Sequence, residues 1–339
     1  MSEALLEIKD LHVSYRTRRG VNKAVAGVDL SLEPGQSLGL VGESGCGKST
    51  LAQAVIRVMP RNAFIPGGEV LLEGRSLTSL PESRMRRIRW QEMAMVPQAA
   101  MDSLNPVYRV LDQFMEVLTI KGGLSKQAAR ERARELFQMV HLGPHYLSHY
   151  PHEFSGGMKQ RAVIALALAL NPKLLIADEP VTALDVIVQD QVLKELKGLM
   201  ERFRVALVLI THDISVVAHT CELVAIMYAG VIVERGRTRE VLKRPAHPYT
   251  MGLANAFPDL AEPDKELISI EGSPPDLVEP AAGCRFAPRC PFRLEVCQDK
   301  APDLVELGPG HWSACHRSGE LDYLKVKAQE VETWRIGLS

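Results

Sequence analysis

Gly42-Glu43-Ser44-Gly45-Cys46-Gly47-Lys48-Ser49-Thr50 decides the reading of this 339-residue chain. A glycine, four residues and then Gly-Lys-Ser is the order of a phosphate-binding loop. The context is the one such a loop needs: the apolar run 37–41 reads as a buried strand and residues 48–58 as a helix. Glycines let the backbone curl until its N–H groups surround a β-phosphate, and the helix N-terminus adds positive potential. Gly42, Ser44, Gly45, Cys46 and Gly47 are therefore the candidate cradle. Lys48 supplies a point charge to the β- and γ-oxygens, Ser49 a hydroxyl for Mg²⁺, and Thr50 sits near the α-phosphate. Cys46 reads as a small filler rather than a redox group.

Two further stretches carry chemistry. Leu174-Leu175-Ile176-Ala177-Asp178-Glu179 is a hydrophobic strand ending in two carboxylates. Asp178 is placed to hold Mg²⁺, and Glu179 to take a proton from an attacking water; the bland alternative is that Glu179 caps the next segment. Upstream, Phe154-Ser155-Gly156-Gly157-Met158-Lys159-Gln160-Arg161 opens a helix with a glycine pair, which presents free N–H groups and suits a second anion. The chain thus has two phosphate-binding surfaces.

With these motifs in place, the span from about residue 5 to 255 resembles the nucleotide-binding subunit of an ABC transporter. The implied fold is α/β: a P-loop domain with a mostly parallel core sheet, an N-terminal antiparallel β part and a helical subdomain. The resemblance implies further roles. Gln98, after Met95-Val96-Pro97, corresponds to the glutamine that senses the γ-phosphate and Mg²⁺ and faces the membrane subunits. Ser155, Gly156 and Gly157 correspond to the signature that completes the ATP site of a partner, with Met158 in place of the commonest glutamine. Ala183-Leu184-Asp185 matches the D-loop, His212 the switch histidine at the γ-phosphate, and Tyr15 the aromatic that stacks on adenine. Lys48, Glu179 and His212 are the expected catalytic residues. ATP, ADP and Mg²⁺ are the expected ligands.

The remaining pattern fits an alternation of strands and helices. Strands are expected at 6–15, 28–32, 69–73, 173–177 and 205–210, helices at 125–140 (capped by Ser125) and 186–203, and a hairpin at 223–234 turning at Ala229-Gly230. Residues 105–170 read as a helical insertion in an ATPase domain of residues 1–257. From 258 to 339 nine prolines break up long elements, so this extension is expected to lack a core of its own and to need a staple. Cys284, Cys290, Cys297 and Cys315 supply four thiolates there, without the paired C-x-x-C spacing of zinc ribbons. A [4Fe–4S] cluster, a structural zinc and free thiols all remain open, with Arg285, Arg289 and Arg293 as candidate counter-charges.

Lys+Arg (40) and Asp+Glu (41) cancel, which gives no basic excess for nucleic acid. The longest apolar run, 162–170, is too short to span a bilayer, and the first twenty residues form no signal peptide. The stretch 97–106, His247-Pro248-Tyr249-Thr250 and the cysteine tail narrow the resemblance to the dipeptide, oligopeptide and nickel importer branch. That implies a peripheral subunit on the cytoplasmic face of the inner membrane. Its implied partners are a second, related ATPase chain, two transmembrane permeases and an extracytoplasmic solute-binding protein. The alternatives are the ATPase of an importer for nickel or another small solute, a non-transport ABC ATPase of DNA repair or translation, which would usually carry coiled-coil inserts or a second nucleotide domain, and an exporter subunit.

Overall fold

The computed structural model describes residues 4–335 apart from Ala99, Ala183 and residues 257–267. Strands β1 (Leu6–Thr17) and β2 (Gly20–Leu32) form a hairpin, and β3 (Ser37–Val41) leads into helix α1 (Lys48–Val55). Strands β4 (Ala63–Leu72) and β5 (Arg75–Ser76) return to the hairpin and complete an antiparallel sheet in the order β2-β1-β4-β5. Helix α2 (Glu82–Gln91) delivers β6 (Met93–Val96). Then come α3 (Val110–Glu116), continued by a π-helical turn (Val117–Lys121), α4 (Lys126–Met139) and α5 (Gly156–Ala167). The chain alternates again through β7 (Leu174–Asp178), α6 (Val186–Phe203), β8 (Ala206–Thr211), α7 (Ile214–Thr220), β9 (Leu223–Tyr228), β10 (Val231–Arg237), α8 (Thr238–Lys243) and α9 (Pro248–Asn255). Beyond residue 267 lie α10 (Val296–Asp299), β11 (Val305–Gly308), β12 (His311–Ser313), α11 (Leu321–Lys327) and α12 (Val331–Trp334).

The second sheet runs β11-β12-β10-β9-β3-β8-β7-β6. Its centre, from β9 to β6, is parallel, and β10, β12 and β11 add antiparallel strands at one edge. Central parallel strands are covered on both faces, which is why β3, β7 and β8 read as unbroken apolar runs. Successive side chains point to opposite faces, so one sheet divides two cores. Leu38, Leu40, Leu174, Ile176, Val208 and Ile210 pack with α1 and the antiparallel sheet. Leu175, Ala177, Leu207 and Leu209 pack on the other face with α5, α6 and the helical segment.

Local sequence explains most element ends. Ser125 caps α4, its Oγ accepting the Ala128 N–H at 3.2 Å. The β9–β10 hairpin turns at Ala229 and Gly230, with φ of 48° and 89°, the two left-handed residues of a type I′ turn. Two expected boundaries move. Strand β4 begins at Ala63 rather than 69, because Pro66-Gly67-Gly68 is a bulge inside the strand and not a turn before it. Gly68 has φ +84°, and a Cβ there would lie 2.1 Å from the Asp10 carbonyl oxygen. Helix α1 stops at Val55 rather than 58, since Arg57 turns left-handed (φ 54°) and donates to the Leu77 carbonyl at 2.9 Å.

The tail corrects a second expectation. The boundary expected between 257 and 258 lies outside the described residues, as does Pro263. The chain beyond residue 267 does not lack a core: Ile268, Leu277, Phe286, Phe292, Leu324 and Trp334 are buried in the same cluster as the sheet's second face. Phe286, 1% exposed, sits edge-on to Tyr228 of β9 with ring centroids 5.1 Å apart. Tail strands β12 and β11 extend the main sheet past β10. In β10 the fully buried Glu234 accepts the Ala246 and His247 N–H groups, both at 2.8 Å, and lies 2.8 Å from His311 Nε2 of β12. A shared core predicts a shared transition. Phe286→Ala should destabilise the whole chain by about 3–5 kcal/mol, read as a lower midpoint in denaturant with a single transition. A separate early transition of the tail would count against the shared core.

Candidate functional site

The phosphate loop hangs between β3 and α1, where a buried strand gives way to a helix start. Gly47 caps α1 with φ 109°, and a Cβ there would lie 2.3 Å from the Ala24 carbonyl oxygen, so only glycine fits this turn. Lys48 is buried, its Nζ donating to the Gly42 and Glu43 carbonyls at 2.7 and 2.9 Å. These bonds fold the ammonium back across the loop it would serve. Cys46 is buried beneath, and burial pushes its thiol above the ordinary value, which suits a filler. Tyr15, on β1, holds the far side: its hydroxyl lies 2.9 Å from Thr50 Oγ1.

Strand β7 runs parallel to β8 and ends beside the loop. Asp178 is 1% exposed with the Ser49 hydroxyl beside its carboxylate, and Oδ1 has no hydrogen-bond partner. Burial pushes this carboxyl above its ordinary value; the nearby Ser49 hydroxyl and the Lys48 charge oppose the push and the Glu179 charge adds to it. A buried carboxylate with an orphaned oxygen next to a serine hydroxyl is a donor set that suits Mg²⁺.

Glu179 leaves the strand with φ 47°, a left-handed conformation that costs about 1–2 kcal/mol in a residue with a Cβ. Its N–H still donates to the Ile210 carbonyl at 2.9 Å. The turn carries its carboxylate to three side chains, two of them distant in sequence. Gln98 Nε2 and Thr182 Oγ1 donate to Oε2 at 3.3 and 3.1 Å, and His212 Nδ1 stands 3.3 Å from Oε1, a hydrogen bond when that nitrogen carries the proton. Gln98 follows β6, Glu179 follows β7 and His212 follows β8, so three adjacent parallel strands deliver one cluster to their carboxyl ends.

The signature stands apart from this cluster. Ser155 caps α5, its Oγ accepting the Met158 N–H at 3.3 Å, and Gly156 begins the helix. A Cβ on Gly157 would lie 2.8 Å from Val188 of α6, which brings the start of α6 alongside. Asp185 caps α6 by accepting the Val188 N–H at 3.0 Å; Ala183, before it, lies outside the described residues. Val186 and Ile187 are 80% and 81% exposed, two aliphatic side chains in water next to the glycine pair.

Reading the sequence missed several residues here. Thr182 gives no signal beyond following a catalytic-looking pair. Tyr249 and Arg289 hold the phosphate loop from its back: the Glu43 N–H donates to Tyr249 Oη at 2.9 Å, and Arg289 pairs with the Glu43 carboxylate. Tyr249 is oriented by α9, where the buried His247 Nδ1 accepts the Tyr249 N–H at 3.0 Å; burial pushes His247 down to about 3, so the acceptor is neutral. Assigning Arg285 and Arg289 to the cysteines is corrected, because Arg285 donates to the Ala229 carbonyl and Arg289 to Glu43.

None of the four cysteines of the tail is joined in a disulfide. Burial pushes Cys284, Cys290 and Cys315 up, Cys315 to about 11, and their charges disfavour one another's ionisation. Among the described residues no three His, Cys, Asp or Glu side chains are arranged to hold a metal ion.

Two family descriptions match the chain: "ABC transporter" over residues 25–182 and "Oligopeptide/dipeptide transporter, C-terminal region" over residues 233–297. The "Probable peptide ABC transporter ATP-binding protein y4tR" of Sinorhizobium fredii is 45% identical, over 94% of this chain and 97% of that protein. The "Oligopeptide transport ATP-binding protein OppD" of Salmonella typhimurium is 44% identical over 94% and 95%. The "Dipeptide transport ATP-binding protein DppD" of Lactococcus lactis is 44% identical over 92% and 90%. Among solved structures, the ATP-binding cassette MJ0796 in a dimeric post-hydrolysis state bound to ADP and Pi superposes with a TM-score of 0.62 at 28% identity, over 69% of this chain and 99% of that one.

The site's electrostatics make a testable statement. A raised Asp178 pKa means the folded state binds this proton more tightly than the unfolded state, so stability falls as pH rises through the window above the ordinary value of 3.8. Asp178→Asn should therefore raise the melting midpoint at neutral pH without Mg²⁺, with the gain shrinking as pH falls toward that value, while Mg²⁺-dependent hydrolysis is lost. A midpoint lowered at neutral pH would contradict this account of the carboxylate.

Proposed function

The chain belongs to the ABC transporter ATP-binding family, and we propose that it is the ATP-hydrolysing subunit of an importer for di- or oligopeptides. The observation that carries the catalytic part is the convergence of Gln98, Thr182 and His212 on the Glu179 carboxylate, beside Asp178 and the phosphate loop. The peptide cargo is inferred from the names of the relatives and the match to the oligopeptide transporter C-terminal region.

The reaction is in-line attack of water on the γ-phosphorus of ATP. The loop N–H groups, apart from that of Glu43, which Tyr249 holds, receive the phosphates, Lys48 serves the β- and γ-oxygens, and Tyr15 stacks on adenine. Glu179 accepts the proton of the water that Gln98 and His212 help to orient, and His212 steadies the charge that grows on the γ-phosphate. Ser49, Asp178 and Gln98 would hold Mg²⁺, which when bound neutralises oxygens of the β- and γ-phosphates.

Ser155, Gly156, Gly157 and Asp185 act on the nucleotide of a second ATPase chain, related but different. The support is the exposed Val186 and Ile187 beside the glycine pair, an apolar patch that association would cover. The permeases dock in a groove of about 440 Å³ lined by Trp90, Pro97, Leu104, Tyr108, Val117 and Ile120, next to Gln98. In this reading residues 1–257, with the helical insertion 105–170, form the ATPase unit and 258–339 the extension. The subunit sits at the cytoplasmic face of the inner membrane, where an extracytoplasmic binding protein delivers solute to the permeases; no helix among the described residues is long and apolar enough to cross a membrane itself. A [4Fe–4S] cluster in the tail would take Cys284, Cys290, Cys297 and Cys315, whose thiols would have to release protons and draw together to hold it.

Three outcomes test this. Glu179→Gln should lower hydrolysis by about 10²–10⁴-fold while ATP binding persists; wild-type turnover would remove Glu179 as the base. Ile120→Asp, a charge in the groove, should release the subunit from permease-containing membranes while the detached protein still hydrolyses ATP, and continued co-purification with the permeases would refute the docking site. Protein purified without oxygen should be brown if the cysteines hold iron and sulfide; colourless, metal-free protein would dismiss the cluster.

A further inference from the structure

The tail reaches the phosphate loop through one side chain that the reaction scheme leaves unused. Arg289 ends the short turn Ala287–Arg289, between Cys284 and Cys290, and is 6% exposed. Its Nη1 and Nη2 donate to Glu43 Oε2 and Oε1 at 2.7 and 3.0 Å, the two-pronged fit of guanidinium to carboxylate. Nε donates to the Glu271 carbonyl at 2.9 Å, Nη2 also to the Ile270 carbonyl at 3.1 Å, and Nη1 to Tyr228 Oη at 3.3 Å. The guanidinium lies 5.8 Å from the Tyr228 ring centroid. This cation is therefore held by the tail backbone and by β9, and aimed at one carboxylate.

That carboxylate is in an unusual position. Glu43 is the second residue of a loop whose chemistry is to attract anions, and its own charge opposes that. Its N–H is held by Tyr249 and its carbonyl accepts from Lys48, so the side chain cannot swing away without disturbing the loop. A like charge close to phosphates in a partly buried site weakens binding unless it is cancelled. A lysine would deliver the charge but not the second bond.

We propose that Arg289 is a positioning residue for nucleotide: by cancelling and fixing Glu43 it sets the affinity of the phosphate loop, so the tail is part of the ATP site. The inference rests on the ATPase reading. In full-length protein, MgADP affinity by calorimetry and steady-state ATP hydrolysis separate the two. Wild type should bind MgADP and Lys48→Ala should not; wild type failing to bind would overturn the ATPase reading itself. Arg289→Gln should raise the MgADP Kd and the KM for ATP by about tenfold or more, with kcat at saturating ATP changed far less. In a Glu43→Gln background the same substitution should have little effect, because no charge is left to cancel. An undiminished loss in that background, or no loss in either, would overturn the inference. If Arg289→Gln does not fold, Arg289→Lys with and without Glu43→Gln carries the same test: its smaller loss must vanish when the carboxylate is gone, and persistence is the overturning result.

Discussion

A helix that begins where a buried parallel strand ends leaves its first N–H groups without partners, and here they face the pocket between β3 and α1. Phosphate suits those donors, and side chains from several segments hold the cradle in shape. Lys48 fills it from within by bonding the Gly42 and Glu43 carbonyls. Tyr249 and Arg289 brace it from behind. Two sheets clamp it, because Gly47 lies against the Ala24 carbonyl of the antiparallel layer.

The cradle must share space with three carboxylates, and each is managed differently. Asp178 is buried and left one bond short, a state that a cation relieves. Glu179 is lifted out of its strand by its own left-handed backbone and tied to Gln98, Thr182 and His212. Glu43 is neutralised by a cation from the far end of the chain. The site is thus less a pocket than a balance of charges, supplied by segments that no local sequence pattern connects.

That explains what could be read from the sequence. The loop, the carboxylate pair, the glycine pair and the strand–helix alternation were legible because each arises from local chemistry: curl, charge, capping and periodicity. The α6 bounds of Val186–Phe203 and the Ser125 cap came from such signals. The β4 bulge was not legible, since Pro66-Gly67-Gly68 carries the same letters as a turn and only its pairing with β1 tells them apart. The tail misled for a related reason. Its prolines announce short elements, but whether short elements bury a core depends on a neighbour, and the neighbour is β9 and β10. Arg289 was placed with the cysteines because it is next to them in sequence, whereas its partner lies 246 residues away.

The two strands of the tail also give this chain a history during synthesis. Strand β10 is the rim of the main sheet until β12 arrives, about 70 residues later, and a ribosome adding about 5–20 residues per second leaves that rim open for several seconds. An open strand offers its backbone to any passing strand. Glu234 lies on it, a carboxylate facing inward that repels a foreign apolar strand and is later satisfied by Ala246, His247 and His311. The same residue that anchors the finished tail thereby guards the nascent sheet, and the arginine that quiets the phosphate loop is among the last parts of the site to leave the ribosome.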